Sequence, residues 1–376
     1  MMNSIPYPLL QEYWWAIISL LGALLVFLMF VQGGQTLIFT IGKTPLQRTM
    51  VINSLGRKWE FTFTTLVTFG GAFFASFPLF YATSFGGAYW VWMIILFSFI
   101  IQAVSYEFRS KPANFLGARV YEVFLIINGL IGTIFIGTAV GTFFNGAEFS
   151  LNAYNQVTWQ TTTRGLEAVL NYHNVALGLA VFFLARVLAL QYFNNTINDD
   201  EIIANTKKHL RINTVPFLGF FLLFVIALLF KSGFAYHPET LEVTMEKYKY
   251  LHNLIEMPLV LLLLLSGVVL VLWGIYADLF RKPGKGIWFS GIGTILTVFS
   301  LFLLAGYNNT CYYPSGYDMQ SSLNIRNSSS SEFTLSVMSI VSLFIPFVFA
   351  YIWIAWKAIN NKKIDQQEMD EESHVY

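Results

Sequence analysis

Charge is scarce in this 376-residue chain: Asp, Glu, Lys and Arg make up 11% of it, against about 25% in an ordinary globular protein. With 56% of the residues hydrophobic, a soluble fold of this size is excluded. The signs nearly cancel, at 22 Lys plus Arg against 21 Asp plus Glu, so no net field exists to gather nucleic acid or an acidic substrate. Cys311 is the one cysteine, which rules out an internal disulfide, a thiolate zinc site and an iron–sulfur cluster within the chain. Histidine is also rare, with five. His209 and His374 fall in polar segments, His237 and His252 flank a loop, and His173 sits at the lip of an apolar run. None lies deep enough in such a run to ligate a haem axially, so no metal is expected on this chain. Met1 to Glu12 lacks Lys, Arg and a small-residue cleavage pattern, so no removable signal peptide is expected.

Long apolar runs dominate instead. A bilayer crossing needs about 20 such residues, and runs of that length occur at 13–39, 61–82, 88–106, 120–144, 172–193, 214–236, 257–279, 287–306 and 334–356. The expected fold is an all-α polytopic membrane protein of about nine transmembrane helices in a single integral membrane domain, with a solvated tail over 358–376. Alternate connections hold 16 of the 22 Lys and Arg residues, including Lys43, Arg48, Arg57, Lys58, Arg109, Lys111 and Arg119. The positive-inside rule then puts the amino terminus outside and the carboxyl terminus in the cytoplasm. Spans two and three, joined near Gly86 and Gly87, must form an antiparallel hairpin. The outer loops 145–171, 237–256 and 307–333 are polar and too short to form a domain.

Polar groups in or beside spans are costly and usually face a cavity or a partner. Glu60 opens span two beside Trp59. It reads either as a first-turn acid favoured by the helix dipole or as a proton-accepting carboxylate at the cytoplasmic mouth of a water chain. Gln32 and Gln35 could extend that chain or simply bond between helices, and Gln102 and Glu107 end span three on the same side. Arg186 and Lys231 are the basic groups within spans: Arg186 either snorkels toward its end or meets a buried partner, and Lys231 lies near the end of span six. Gly70, Gly71, Ala72 and Ala75 form a small-residue stripe suited to helix or subunit packing. No phosphate-binding loop is present. Taken by themselves, these residues fit an ion-coupled secondary transporter working through Glu60 and Arg186 as well as they fit an accessory redox subunit.

Three stretches go further. Ile52, Asn53 and Ser54, then Trp59 and Glu60, then Gly70, Gly71, Ala72, Phe74, Ala75, Pro78, Tyr81 and Ala82 form the first. Tyr106 to Lys111 is the second. Tyr313, Pro314, Ser315, Ser322, Leu323, Asn327 to Ser330, Thr334, Leu335 and Met338 make the third, followed by Pro346 and Tyr351. Together they resemble subunit II of the cytochrome bd quinol oxidases, over about residues 10 to 360. The resemblance implies two four-helix bundles plus a peripheral helix in the bacterial cytoplasmic (inner) membrane, paired with a subunit I that carries the b-type and d-type haems. It also implies an electrogenic complex that oxidises quinol and reduces dioxygen with cytoplasmic protons, this chain not being catalytic alone. A quinone or lipid bound in this subunit and a small accessory subunit are further candidate partners, beside membrane lipid. Departures are local: Gln32, Gly33, Gly34 and Gln35 stand where the family has D-G-F-D, Glu60 replaces the aspartate of its W-D pair, Thr62 stands for an Asn, and Gln102 for an Arg.

Overall fold

The computed structural model describes residues 5–112, 114–281 and 283–365, so Lys282, His374 and the tail beyond 365 lie outside the described residues. Helix α1 (Tyr7–Leu28) starts on Pro6 and Pro8 and runs into the short α2 (Phe30–Gln35) and α3 (Ile38–Ile41). Helix α4 (Pro45–Gly56) opens with a capping box, in which Thr44 Oγ1 accepts from the Gln47 amide at 3.2 Å and Gln47 Oε1 from the Thr44 amide at 3.1 Å. Helix α5 (Trp59–Ser76) ends before Pro78, which has no amide hydrogen to continue it. The chain turns there by 118° into α6 (Pro78–Phe80) and a π-turn over Tyr81–Gly86. The span expected over 61–82 is therefore a helix plus a bent-back corner, leading into α7 (Tyr89–Phe108).

Helices α8 (Ala118–Asn145) and α9 (Tyr172–Thr196) follow, then α10 (Asp200–Phe230), capped by Asp199 Oδ1 at 2.8 Å from the Ile202 amide. Helix α10 starts fourteen residues before the apolar run at 214, because its first half is polar and carries Lys207, Lys208 and Arg211. After α11 (Lys249–Glu256) come α12 (Pro258–Phe280), α13 (Gly286–Gly306), α14 (Glu332–Ser342) and α15 (Ile345–Ile359), the last two bent by 41°. Among the described residues, seven helices are long and apolar enough to cross a membrane, or nine if each bent pair counts once. Buried α9 packs between α2, α8 and α10, while α12 pairs with α13 and α1 with α13 and α5. Apolar faces such as Leu262, Leu265 and Val269 of α12 stay exposed, as lipid or a partner subunit requires.

The loops 145–171, 237–256 and 307–333 interlock rather than hang free. Strands β1 (Phe149–Leu151) and β2 (Val157–Trp159) form one hairpin, and β3 (Gly233–Tyr236) and β4 (Val243–Glu246) another. Residues 233–236, expected to end span six, belong to this layer. Pro314 carbonyl accepts from the Ala147 amide at 3.0 Å, and Phe234 carbonyl from the Cys311 amide at 2.9 Å. Cys311 is fully buried there, and burial pushes its thiol up to about 12. The thiolate is the reactive form, so a maleimide should leave native Cys311 unlabelled at neutral pH and react after denaturation. Labelling of the native protein, counted by intact mass, would show that this layer opens.

Candidate functional site

Polar side chains gather at the end of the bundle where the basic residues concentrate. Ser98, Gln102, Tyr106 and Arg109 recur at helical spacing, which puts them on one face of α7 over about 16 Å. Two close approaches bring α2 against that face. A Cβ on Gly129 of α8 would stand 2.4 Å from the Gln32 carbonyl, and one on Gly33 would stand 2.2 Å from the backbone of Ala185 in α9. Glycine alone lets α2 lie so near, and Gln32 and Gln35 turn inward as a result.

Gln32 Nε2 donates to Gln102 Oε1 at 3.3 Å, and Gln35 Nε2 donates to the Tyr106 hydroxyl at 3.2 Å. Asn128 Nδ2 of α8 donates to Ser98 Oγ at 3.2 Å. The Trp59 ring stacks on Tyr106 with centroids 5.8 Å apart and planes 14° apart. Gln32, Gln35, Gln102 and Asn128 are each 0% exposed, yet Gln32 Oε1, Gln35 Oε1, Gln102 Nε2 and Asn128 Oδ1 have no hydrogen-bond partner among the described residues. An unpaired buried polar atom costs about 1 to 3 kcal/mol, so this seam is not there for stability. A neutral amide does not store a proton at neutral pH, but it can hold and orient water.

The structure brings Gln32, Gln35 and Trp59 together through Gln102 and Tyr106, and leaves both candidate acids outside. Glu60 is exposed in the first turn of α5, next to Trp59 but on the outer side. Glu107 is exposed and pairs with Lys111 at 3.2 Å. A Cβ on buried Gly70 would meet Phe85 at 3.5 Å; one on exposed Gly71 would meet nothing within 4 Å among the described residues; Ala72 and Ala75 are half-buried. Gly71 thus faces away from the other described helices, whereas Gly70 and Ala72 pack inward. Thr62 Oγ1 donates to the Leu28 carbonyl at 3.0 Å. Arg186 lays its guanidinium 5.3 Å from the Phe182 ring centroid, and Lys231 Nζ donates to Phe144 carbonyl at 2.7 Å and Asn145 Oδ1 at 2.6 Å.

Two charged groups escaped the sequence reading. Glu122 of α8, 4% exposed, accepts from Arg109 Nε at 3.2 Å and Nη2 at 2.8 Å. An acid inside an apolar run was the signal that could have found it. Lys58, expected among the solvated loop charges, is 0% exposed with Nζ 4.6 Å from the Trp356 ring centroid. His173 uses both ring nitrogens, Nδ1 with Asn145 Nδ2 at 2.8 Å and Nε2 with Phe224 carbonyl at 3.0 Å. No group of three or more His, Cys, Asp or Glu side chains that could hold a metal forms among the described residues.

Residues 10–359 match the family model for cytochrome bd terminal oxidase subunit II. The chain belongs to that family. Cytochrome bd-I ubiquinol oxidase subunit 2 of Escherichia coli is 25% identical, over 98% of this chain and 99% of that protein. The probable cytochrome oxidase subunit 2 of Haemophilus influenzae is 26% identical over 98% and 99%. Cytochrome bd ubiquinol oxidase subunit 2 of Bacillus subtilis is 26% identical over 96% and 98%. The solved bd oxidase of Geobacillus thermodenitrificans shares the fold, with a TM-score of 0.56 at 12% identity over 92% of this chain and 98% of that one. As a cytochrome bd subunit II, the chain is part of a quinol oxidase, an oxidoreductase complex that includes a subunit I, and a multi-pass protein of the inner membrane. That membership sets aside the transporter reading.

Proposed function

We propose that this cytochrome bd subunit II is the haem-free half of its complex, scaffolding a subunit I that holds the haems and giving protons a route from the cytoplasm toward dioxygen reduction by quinol. In this reading each bent helix pair is one crossing, nine in all, with the amino terminus outside and the carboxyl terminus in the cytoplasm. Exposed Gly71 and half-buried Ala75, one turn on in the same helix, are the contact to subunit I. The observation that carries the proton route is the buried seam from Tyr106 through Gln35, Gln102 and Gln32 to Asn128, where four amide atoms are left for water. The seam itself carries no carboxylate, and Glu60, exposed beside Trp59, is the acid that faces water next to it.

The test is Glu60→Gln in the assembled oxidase, which keeps size and hydrogen bonding but removes the exchangeable proton. Positioned proton transfer supplies about 10²- to 10⁴-fold in rate, so oxygen reduction is expected to fall at least about ten-fold with haem content unchanged, and Glu60→Asp to be much milder. Gln102→Leu should slow turnover in the same way by drying the seam. Wild-type turnover by Glu60→Gln from about pH 6 to pH 8 would return Glu60 to the role of a helix-start acid and move attention to Glu107.

A further inference from the structure

At the same end of the bundle, where α4 begins, α7 ends and α8 begins, a cavity of about 360 Å³ is lined by Phe39, Arg48, Thr49, Arg109, Arg119 and Glu122, among others. Three guanidinium groups face one carboxylate, an excess of two positive charges. Arg109 spends its donors on Glu122 and on Thr49 Oγ1, the latter at 3.2 Å. Arg48 Nη1 donates to the Lys43 carbonyl at 3.2 Å, while its buried Nε, 3.8 Å from Glu122 Oε2, has no hydrogen-bond partner among the described residues. Arg48 and Arg119 flank one ring, their guanidinium carbons 5.7 and 5.9 Å from the Phe39 centroid. Arg119 is exposed. The first turn of α8, with Ala118 on the cavity wall, adds its backbone amides, since Gly117 offers no capping side chain, although the Val120 amide already donates to the Gly117 carbonyl at 3.2 Å.

Converging guanidinium groups with an uncapped helix start form a receptor for phosphate oxygens. The surroundings say which phosphate. Phe115 is 89% exposed and Leu116 41% on the loop beside the cavity, and Phe108 is 49% exposed at the end of α7. An apolar rim around a basic pocket, at the ends of two membrane-length helices, is the arrangement that seats a lipid headgroup above its acyl chains. We propose that this pocket binds the phosphodiester of an anionic phospholipid, with Arg48 and Arg119 on the phosphate oxygens and Phe115 and Leu116 against the acyl chains. The inference is independent of the proton route, because it rests on the pocket alone.

The test uses the purified whole oxidase, depleted of lipid by detergent exchange. It is titrated with phosphatidylglycerol, phosphatidylcholine or inorganic phosphate, reading the melting midpoint and the lipids retained in native mass spectrometry. Phosphatidylglycerol should raise the midpoint at lower concentration than phosphatidylcholine. Each arginine near a lipid phosphate contributes about five-fold in affinity, so Arg119→Gln should weaken phosphatidylglycerol binding about five-fold and Arg48→Gln/Arg119→Gln about 25-fold. Arg119→Gln is the safe variant, since that side chain is exposed and holds no ion pair among the described residues, and Arg119→Lys should retain most of the binding. Equal stabilisation by inorganic phosphate at the lipid concentrations used would overturn the lipid assignment. An unchanged phosphatidylglycerol titration in Arg119→Gln and in the double variant would overturn the site.

Discussion

Arg109→Met is expected to strip the oxidase of much of its stability, while the double variant Arg109→Met/Glu122→Met is expected to restore it. The Glu122 carboxylate is 4% exposed and takes two donors from Arg109 on one oxygen, at 3.2 and 2.8 Å. Removing one partner of a buried pair leaves an uncompensated charge and costs about 3 to 5 kcal/mol, a large share of the roughly 5 to 15 kcal/mol that holds a domain folded. Removing both charges together in favour of apolar side chains of similar volume is often neutral. The single variant should therefore give the lower melting midpoint and the lower haem content per membrane protein. Arg109 also ties three segments together, since Thr49 of α4 and Glu122 of α8 meet on the end of α7. Equal melting of wild type and Arg109→Met would mean that Arg48, 3.8 Å from the other carboxylate oxygen, takes over the pair.

The membrane fold could be read from the chain because its signals are local. Apolar run length sets the crossings, and the distribution of Lys and Arg sets the basic end. Where helices bend or overrun depends on features that hydropathy ignores. Pro78 halts α5 inside an unbroken apolar run, and α10 continues through Lys207, Lys208 and Arg211 because Asp199 caps it and its polar half needs no lipid. The site was legible in part for a related reason. Gln32 and Gln35 stand out as polar groups in an apolar run, but their partners depend on how α2, α7 and α8 are rotated. Depth along the chain placed Glu60 beside Trp59 and could not say that it points outward while Trp59 turns toward Tyr106. Glu122 and Arg109 are thirteen residues apart in different elements, so no local spacing pairs them.

Gly33→Ala is expected to block assembly, whereas Gly71→Leu should spare the fold of this chain and weaken only its association with subunit I. A methyl on Gly33 would lie 2.2 Å from the carbonyl carbon of Ala185, 2.3 Å from its oxygen and 2.5 Å from the amide nitrogen of Arg186. All three are backbone atoms, so trimming a neighbouring side chain gives no relief and α2 must move away from α9. Overpacking typically costs about 1 to 3 kcal/mol and occasionally more; a backbone collision belongs at the upper end. Gly34→Ala makes the useful contrast, because its methyl would meet Leu55 Cδ2 at 2.6 Å and Phe193 Cζ at 3.0 Å, side-chain atoms that can yield. It should be milder, and Leu55→Ala should suppress it. Moving α2 also carries Gln32 and Gln35 off Gln102 and Tyr106, so any Gly33→Ala oxidase that does assemble should turn over slowly as well. At Gly71 nothing in this chain lies within 4 Å of the added carbon, and a loss of subunit I from otherwise folded Gly71→Leu protein would place the subunit contact there. Normal haem content in Gly33→Ala would mean that α2 and α9 can part without loss of assembly, and normal content in Gly71→Leu would remove the stripe from the interface.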